Sequence, residues 1–103
     1  MKPKLSESDI QRQILSWLKQ RGIFHYRQNT GMAKLKGGFW VRFGKPGAPD
    51  IVAIVAGRFI GIEVKKVGGK QSSAQKEYEL ELTRAGGLYI VANCVEHVEM
   101  MIP

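Results

Sequence analysis

The twenty residues GAPDIVAIVAGRFIGIEVKK, positions 47 to 66, decide how this chain folds. IVAIVA and RFIGIEV are rich in β-branched residues and meet at Gly57, so they read as the two strands of a hairpin. Yet Asp50 stands at the mouth of the first strand, and Glu63 and Lys65 lie at the end of the second, three charges where a core is expected. Strand side chains alternate faces, so Glu63 and Lys65, two apart, share one side while Ile62 and Val64 take the other. If Ala56 and Gly57 form a two-residue turn, Val55 pairs with Arg58, and stepping outward along both strands sets Asp50 opposite Glu63. Directly opposed residues on a shared face have Cβ atoms roughly 4.5 to 5.5 Å apart. The arrangement depends on the turn length, because a slip of one residue sends the partners to opposite faces.

Two adjacent carboxylates in a partly buried site repel each other unless a cation or a proton lies between them. A divalent metal is the natural occupant. Hard oxygen donors with no His or Cys nearby in sequence favour Mg²⁺ or Mn²⁺ over Zn²⁺, and Mg²⁺ commonly takes one or two carboxylates and keeps waters and a substrate phosphate for the rest. Such an ion can activate a water and stabilise charge on a phosphodiester. Lys65 would orient or deprotonate that water and offset the developing negative charge. A bare D…ExK pattern is short and common, and a surface hairpin with an ordinary mixture of charges can carry it. Its weight here comes from the flanks: Pro49-Asp50 at the strand entry, two β-branched strands, and a basic chain.

With 103 residues, 44% of them apolar, the chain has the size of one ordinary domain with one core, so residues 1–103 are read as a single domain. One cysteine, Cys94, excludes an internal disulfide framework, and no CxxC or Cys/His cluster suggests zinc. Cys94 itself reads as a small apolar filler. The start, MKPKLSESDIQRQ, lacks the apolar run of a signal peptide, and no stretch approaches the roughly 18 consecutive apolar residues of a membrane span. A soluble, cytoplasmic protein with no membrane partner and no organic cofactor is expected.

Sixteen Lys and Arg against nine Asp and Glu give a net charge of +7, the balance expected of a protein that neutralises phosphates. The excess lies in the first part of the chain. Between Arg27 and Lys45 the cations Lys34, Lys36, Arg42 and Lys45 are interleaved with Phe39, Trp40 and Phe43. That mixture suits a surface that tracks a backbone and stacks on bases, although a hairpin packing its own aromatics has the same composition. Arg27, Asn29, Lys34 and Lys36 are the candidate DNA contacts.

From Ser6, a candidate N-cap with Asp9 as a capping-box partner, Ile10, Ile14, Trp17 and Leu18 form one stripe of an amphipathic helix ended by Gly22. Glu7 lies three and seven residues before Ile10 and Ile14, which turns it toward the buried stripe, although a first-turn Glu is also helped by the helix dipole and can bend to solvent. Residues 23 to 31 read as a β-rich segment, followed by a Gly-rich loop, a strand FWVRF at 39 to 43 and a loop GKPGAP at 44 to 49. After the hairpin, VGGKQSS leads to a helix through Ala74, Tyr78, Leu82 and Ala85, stopped by Gly86 and Gly87. LYIVA, residues 88 to 92, is the next strand, and Asn93 with Glu96 caps a last helix carrying Val95, Val98 and Ile102. Glu77, Glu79 and Glu81 read as a solvated helix face, and His25 and His97 as packing or surface residues. The order gives an α/β fold, a mixed central sheet flanked by helices.

Taken together, ESDIQRQILSWL, RQNTG, GAPDIV, IGIEVK, QSSAQ and GGLYIVA, in this order from Glu7 to Ala92, resemble the small stand-alone VRR-NUC (virus-type replication-repair nuclease) domains. PDIVAIVAGRFIGIEVKK within them looks like the core of the PD-(D/E)xK nucleases. The resemblance implies a restriction-endonuclease-like core and a Mg²⁺- or Mn²⁺-dependent endodeoxyribonuclease. Asp50 and Glu63 match the metal-binding acids, the main-chain carbonyl of Val64 a further ligand, and Lys65 the catalytic lysine. Glu7 matches the first-helix acid that completes such sites, and Gln75 the glutamine of the following helix. Ser72-x-x-Gln75 is also a capping box, and a side chain folded back on the cap is not expected to reach the site.

Stand-alone members of the family are similar to Holliday-junction resolvases and tend to act as homodimers on branched DNA. One monomer of this size offers one active site, and symmetric junction cutting needs two. Two competing readings are a non-catalytic nucleic-acid-binding module that keeps the nuclease fold and a basic structural protein. Pure binding is better served by removing negative charges from a DNA-facing surface, and a structural protein gives no reason for paired acids in apolar strands.

Overall fold

A computed structural model describes residues 4–28 and 31–102. The chain runs α1 (Glu7–Gln20), β1 (Phe24–Arg27), β2 (Gly31–Lys34), β3 (Trp40–Phe43), β4 (Ile51–Val55), β5 (Arg58–Val64), α2 (Ser73–Arg84), β6 (Leu88–Ala92) and α3 (Val95–Met101). Four strands form one mixed sheet in the order β1-β4-β5-β6, and β2 and β3 pair separately as a two-stranded sheet. The expected α/β architecture is therefore present, with a second small sheet beside it.

The turn at Ala56-Gly57 sets the register of the larger sheet. Both residues have positive φ, 50° and 79°, the conformation of a two-residue turn whose twist matches its strands. Val55 pairs with Arg58 and Ile51 with Ile62, so Asp50 enters opposite Glu63 as the sequence predicts. Glycine is the natural residue at such a φ, and Ala56 adopts it at a steric cost. On the other side β5 pairs in parallel with β6, through the crossover helix α2.

Alternation then sorts the residues. Ile60, Ile62 and Val64 join Ile51, Ala53, Ile90 and Ala92 on one face, where α1 contributes Ile10, Ile14 and Leu18, and α3 with its C-cap contributes Val98 and Ile102. This is the core. The opposite face carries Gly61, Glu63 and Tyr89, and α2 lies against it: Leu82 approaches Gly61 and Gly87, and the Tyr78 and Tyr89 rings are 5.9 Å apart. A Cβ on Gly61 would stand 2.7 Å from Cγ of Pro49. The bare strand lets Pro49 lie across β5 and thereby delivers Asp50 to the sheet.

Helix boundaries follow the local signals. Ser6 and Asp9 form a reciprocal capping box on α1, and Ser72 and Gln75 form one on α2. Both helices end in Schellman geometry, with Gly22 at φ 68° and Gly86 at 94°, the Ile23 N–H donating to Leu18 and the Gly87 N–H to Leu82. Three expectations need correction. The segment read as a strand from 23 to 31 pairs only over Phe24–Arg27, and part of the region read as a Gly-rich loop is the strand β2. The N-cap of α3 is Cys94, with no side-chain cap bond, in place of Asn93. The Asn93 N–H donates to Nδ1 of His97 at 3.2 Å, so Asn93 sits one residue too early to cap.

Candidate metal centre and nucleic-acid interface

The hairpin brings Asp50, Glu63, Val64 and Lys65 to one cleft, and the first turns of α1 close it with Glu7, Ser8 and Gln11. Each acid is oriented by a donor from the neighbouring chain segment. The Val64 main-chain N–H donates to Oδ2 of Asp50 at 2.7 Å. Nε2 of Gln75 donates to Oε1 of Glu63 at 2.9 Å, and the Tyr89 hydroxyl lies 3.4 Å from Oε2. Lys65 Nζ is 3.9 Å from the same Oε1, with a side chain only 19% exposed.

Glu63 is 4% exposed, the single charged or polar residue in the buried class among those described. Burial disfavours its charge, and the Asp50 carboxyl beside it adds repulsion. Together these raise its pKa from the ordinary 4.5 to about 8, against the opposing pull of Lys65 and Tyr89. Without a cation the pair therefore holds a proton at neutral pH. Tyr89 is pushed up as well, first by burial and then by the Glu63 charge, so its hydroxyl keeps its proton and can donate.

The donor set fits a hard divalent cation. Its groups are carboxylate oxygens and main chain, the acids need a positive charge to ionise together, and a small ion of this kind requires only one or two carboxylates from the protein. Among the described residues no three His, Cys, Asp or Glu side chains gather closely enough to hold one ion. Glu7 lines the cleft and is exposed. It shares this cleft with the Asp50–Glu63 pair.

Gln75 resolves the conflict between its two expected roles. Its amide has two ends: Oε1 accepts from the Ser72 N–H at 2.8 Å and Nε2 donates to Glu63. One side chain caps α2 and reaches the acid pair at the same time. Sequence reasoning missed Tyr89, Ser8 and Gln11. Tyr89 had a signal, being the one polar-tipped residue in the apolar run LYIVA, but its approach to Glu63 requires the parallel pairing that sets Gly61 beside it. Gln11 lies four residues after Glu7, the spacing of one helix face.

The candidate DNA contacts fall in two places. Arg27 ends β1 opposite Ile51, and the next residue, Gln28, donates its N–H to the Asp50 carbonyl at 2.7 Å. Lys34 ends β2, and Lys36 lies in the turn between β2 and β3. Asn29 lies outside the described residues. The acidic face of α2 is partly engaged, with Glu81 3.1 Å from Lys45 and Glu79 accepting from Gln71. The two histidines make local main-chain contacts: Nδ1 of His25 lies 2.7 Å from the Ile23 carbonyl oxygen, and His97 serves Asn93.

No helix is long and apolar enough to cross a membrane among the described residues. No protein-family model matches the chain, and no curated protein matches it.

Proposed function

We propose that this chain is a metal-dependent endodeoxyribonuclease of the PD-(D/E)xK type, resembling the stand-alone VRR-NUC domains, with a restriction-endonuclease-like core and branched DNA as its substrate. One observation carries the reading. A buried glutamate is held against an aspartate across an antiparallel pair, an arrangement in which both acids ionise together only with a cation between them, and a lysine stands 3.9 Å away. A module that only bound DNA would gain from losing both acids.

In this reading Asp50 and Glu63 hold Mg²⁺ or Mn²⁺ with help from the Val64 main chain, and Glu7 contributes from the first turn of α1. The ion supplies a lowered pKa for a bound water and charge stabilisation on the scissile phosphate. The chain's own residues do the rest. The Val64 N–H and the Gln75 amide hold the two carboxylates in place. Lys65 places a positive charge beside Glu63, where it orients the attacking water and offsets charge developing on the phosphate. The net charge of +7 draws the polyanion to the cleft. By the same resemblance, two copies act together as a homodimer so that both strands of a junction are cut.

The test uses labelled four-way junction, flap, single-stranded and linear duplex DNA with Mg²⁺, Mn²⁺ or EDTA. Cleavage by the unaltered protein with metal, abolished by EDTA and reduced by about 10²-fold or more in Asp50→Ala and in Lys65→Ala while DNA binding persists, is the expected result. Binding without cleavage in either metal would overturn the enzyme reading in favour of a binding module.

A further inference from the structure

The β2–β3 sheet is an arm built to different rules from the rest of the molecule. Among the described residues it adds nothing to the core cluster, and it does not pair with the larger sheet. Every residue of β3 is exposed. Register separates its two faces: Met32 pairs with Arg42 and Lys34 with Trp40, so these four residues share one face. The other face holds Gly31, Ala33, Val41 and Phe43, with the Phe43 ring laid over Gly31. The first face therefore presents an indole, 61% exposed, with Lys34 directly opposite and Arg42 two residues along the same strand. Lys36 and Phe39, the latter 73% exposed, continue the pattern at the tip.

Charge singles out the occupant. No Asp or Glu occurs between Asp9 and Asp50, so the arm's four cations, Lys34, Lys36, Arg42 and Lys45, have no acid within the arm itself. Lys45, at its base, pairs with Glu81 of α2, which leaves the three on the arm proper. A second protein copy of the same positive arm would be repelled. A phosphate backbone with accessible base faces is matched on both counts.

Connectivity ties the arm to the candidate centre. The chain enters it just after Gln28, whose N–H is bonded to the Asp50 carbonyl, and leaves it through residues 44–49 directly into Asp50. At its base Gly47, with φ 79°, lies so close to the Ala74 carbonyl at the start of α2 that a side chain would not fit. Both roots of the arm are thus set beside the acid pair, and its strands extend about 13 Å from that base at about 3.3 Å per residue.

We infer that this face of the arm, Lys34, Trp40 and Arg42, is a binding site for unpaired nucleotides, in which a base stacks on Trp40 while the two cations neutralise the adjoining phosphates. It rests on the nuclease reading for its biological setting, where it makes the substrate a duplex that adjoins a single strand. In an intact duplex the base faces are covered by their neighbours, and only a flap, a gap or the opened centre of a junction offers one to the indole.

The experiment measures binding of a short oligothymidylate and of a blunt duplex of equal length by fluorescence anisotropy in EDTA, so that cleavage plays no part. Variants are Trp40→Ala, Trp40→Phe, and Arg42→Ala with Lys34→Ala. Expected results are a loss of single-strand affinity on the order of tenfold in Trp40→Ala, most of it retained in Trp40→Phe. The double cation variant should reduce the salt slope by roughly one to two units. Tryptophan emission should be quenched by the oligonucleotide in a Trp17→Phe background and not in Trp40→Ala. Unchanged single-strand affinity in Trp40→Ala would overturn the site, as would a change confined to the sedimentation coefficient, which would make the arm a contact between copies. Cleavage of branched DNA with binding indifferent to Trp40 would sink this site and leave the nuclease standing. Trp40-dependent binding by a protein that never cleaves would do the reverse.

Discussion

The two sheets treat water in opposite ways. In the four-stranded sheet a glutamate is buried and its charge suppressed, whereas in the β2–β3 arm a tryptophan and two phenylalanines are left in solvent. Each placement costs stability, through desolvation of a carboxylate in one case and exposure of apolar surface in the other. A fold selected only for stability would exchange them. Residues set against their solvation preference mark the two regions to which the proposed ligands, a cation in one and a nucleic acid in the other, are assigned. Neither region is self-sufficient in the same way: the sheet is closed by helices on both faces, while an isolated two-stranded hairpin is marginal in water and this one is held at its roots.

The largest contrast is expected in packing. Gly61→Val in β5 drives a side chain into Pro49 and Leu82 and should lower unfolding free energy by about 3 kcal/mol. Val41→Ala in the arm should change it by less than about 0.5 kcal/mol. Urea unfolding followed by far-UV circular dichroism measures both, and equal costs would erase the distinction between sheet and arm.

A smaller effect separates the two by pH. Glu63 titrates near 4.5 when unfolded and near 8 when folded, so its contribution is complete below the lower value and is lost as pH rises through the upper one. The metal-free protein should therefore lose melting temperature between pH 5 and pH 9. Glu63→Gln should flatten that profile, and millimolar Mg²⁺ should stabilise most at the alkaline end, where both acids are charged. A profile unaltered in Glu63→Gln would place the titration elsewhere.

The smallest change sharpens the register on which the acid pair depends. Ala56 occupies a left-handed conformation that asparagine tolerates better. Ala56→Asn should raise unfolding free energy by about 0.5 to 1 kcal/mol with no change in the arm, read as a rise of a few degrees in melting temperature. A decrease would mean that the turn is not what pins Asp50 opposite Glu63.

What could be read beforehand was what local chemistry encodes. The two-residue turn fixed the Asp50–Glu63 register, because only one pairing is compatible with Val55 against Arg58. Both capping boxes were visible as Ser-x-x-Asp and Ser-x-x-Gln, and the glycines after α1 and α2 marked their ends. β2 escaped notice because Gly-Met-Ala-Lys has no β-branched residue and no alternation; only its pairing with β3 makes it a strand. Tyr89 and Gln75 were hard to place for a related reason. Their approach to Glu63 depends on the crossover through α2 and on the parallel alignment of β6, and neither strand records that alignment in its own residues. The Asn93 cap failed by a single position, where a histidine four residues on took the N–H that the cap geometry would have left free.

Gln75 leaves one consequence for motion. Its amide belongs to the first turn of α2 and to the acid pair at once, so fraying of that turn removes a donor from Glu63 in the same event. Helix ends open locally far more often than whole proteins unfold. The lifetime of a correctly aimed Glu63 is then bounded by the breathing of a helix terminus, and the Ser72 and Gln75 amide protons, followed by hydrogen exchange, become a clock for how long the centre stays assembled.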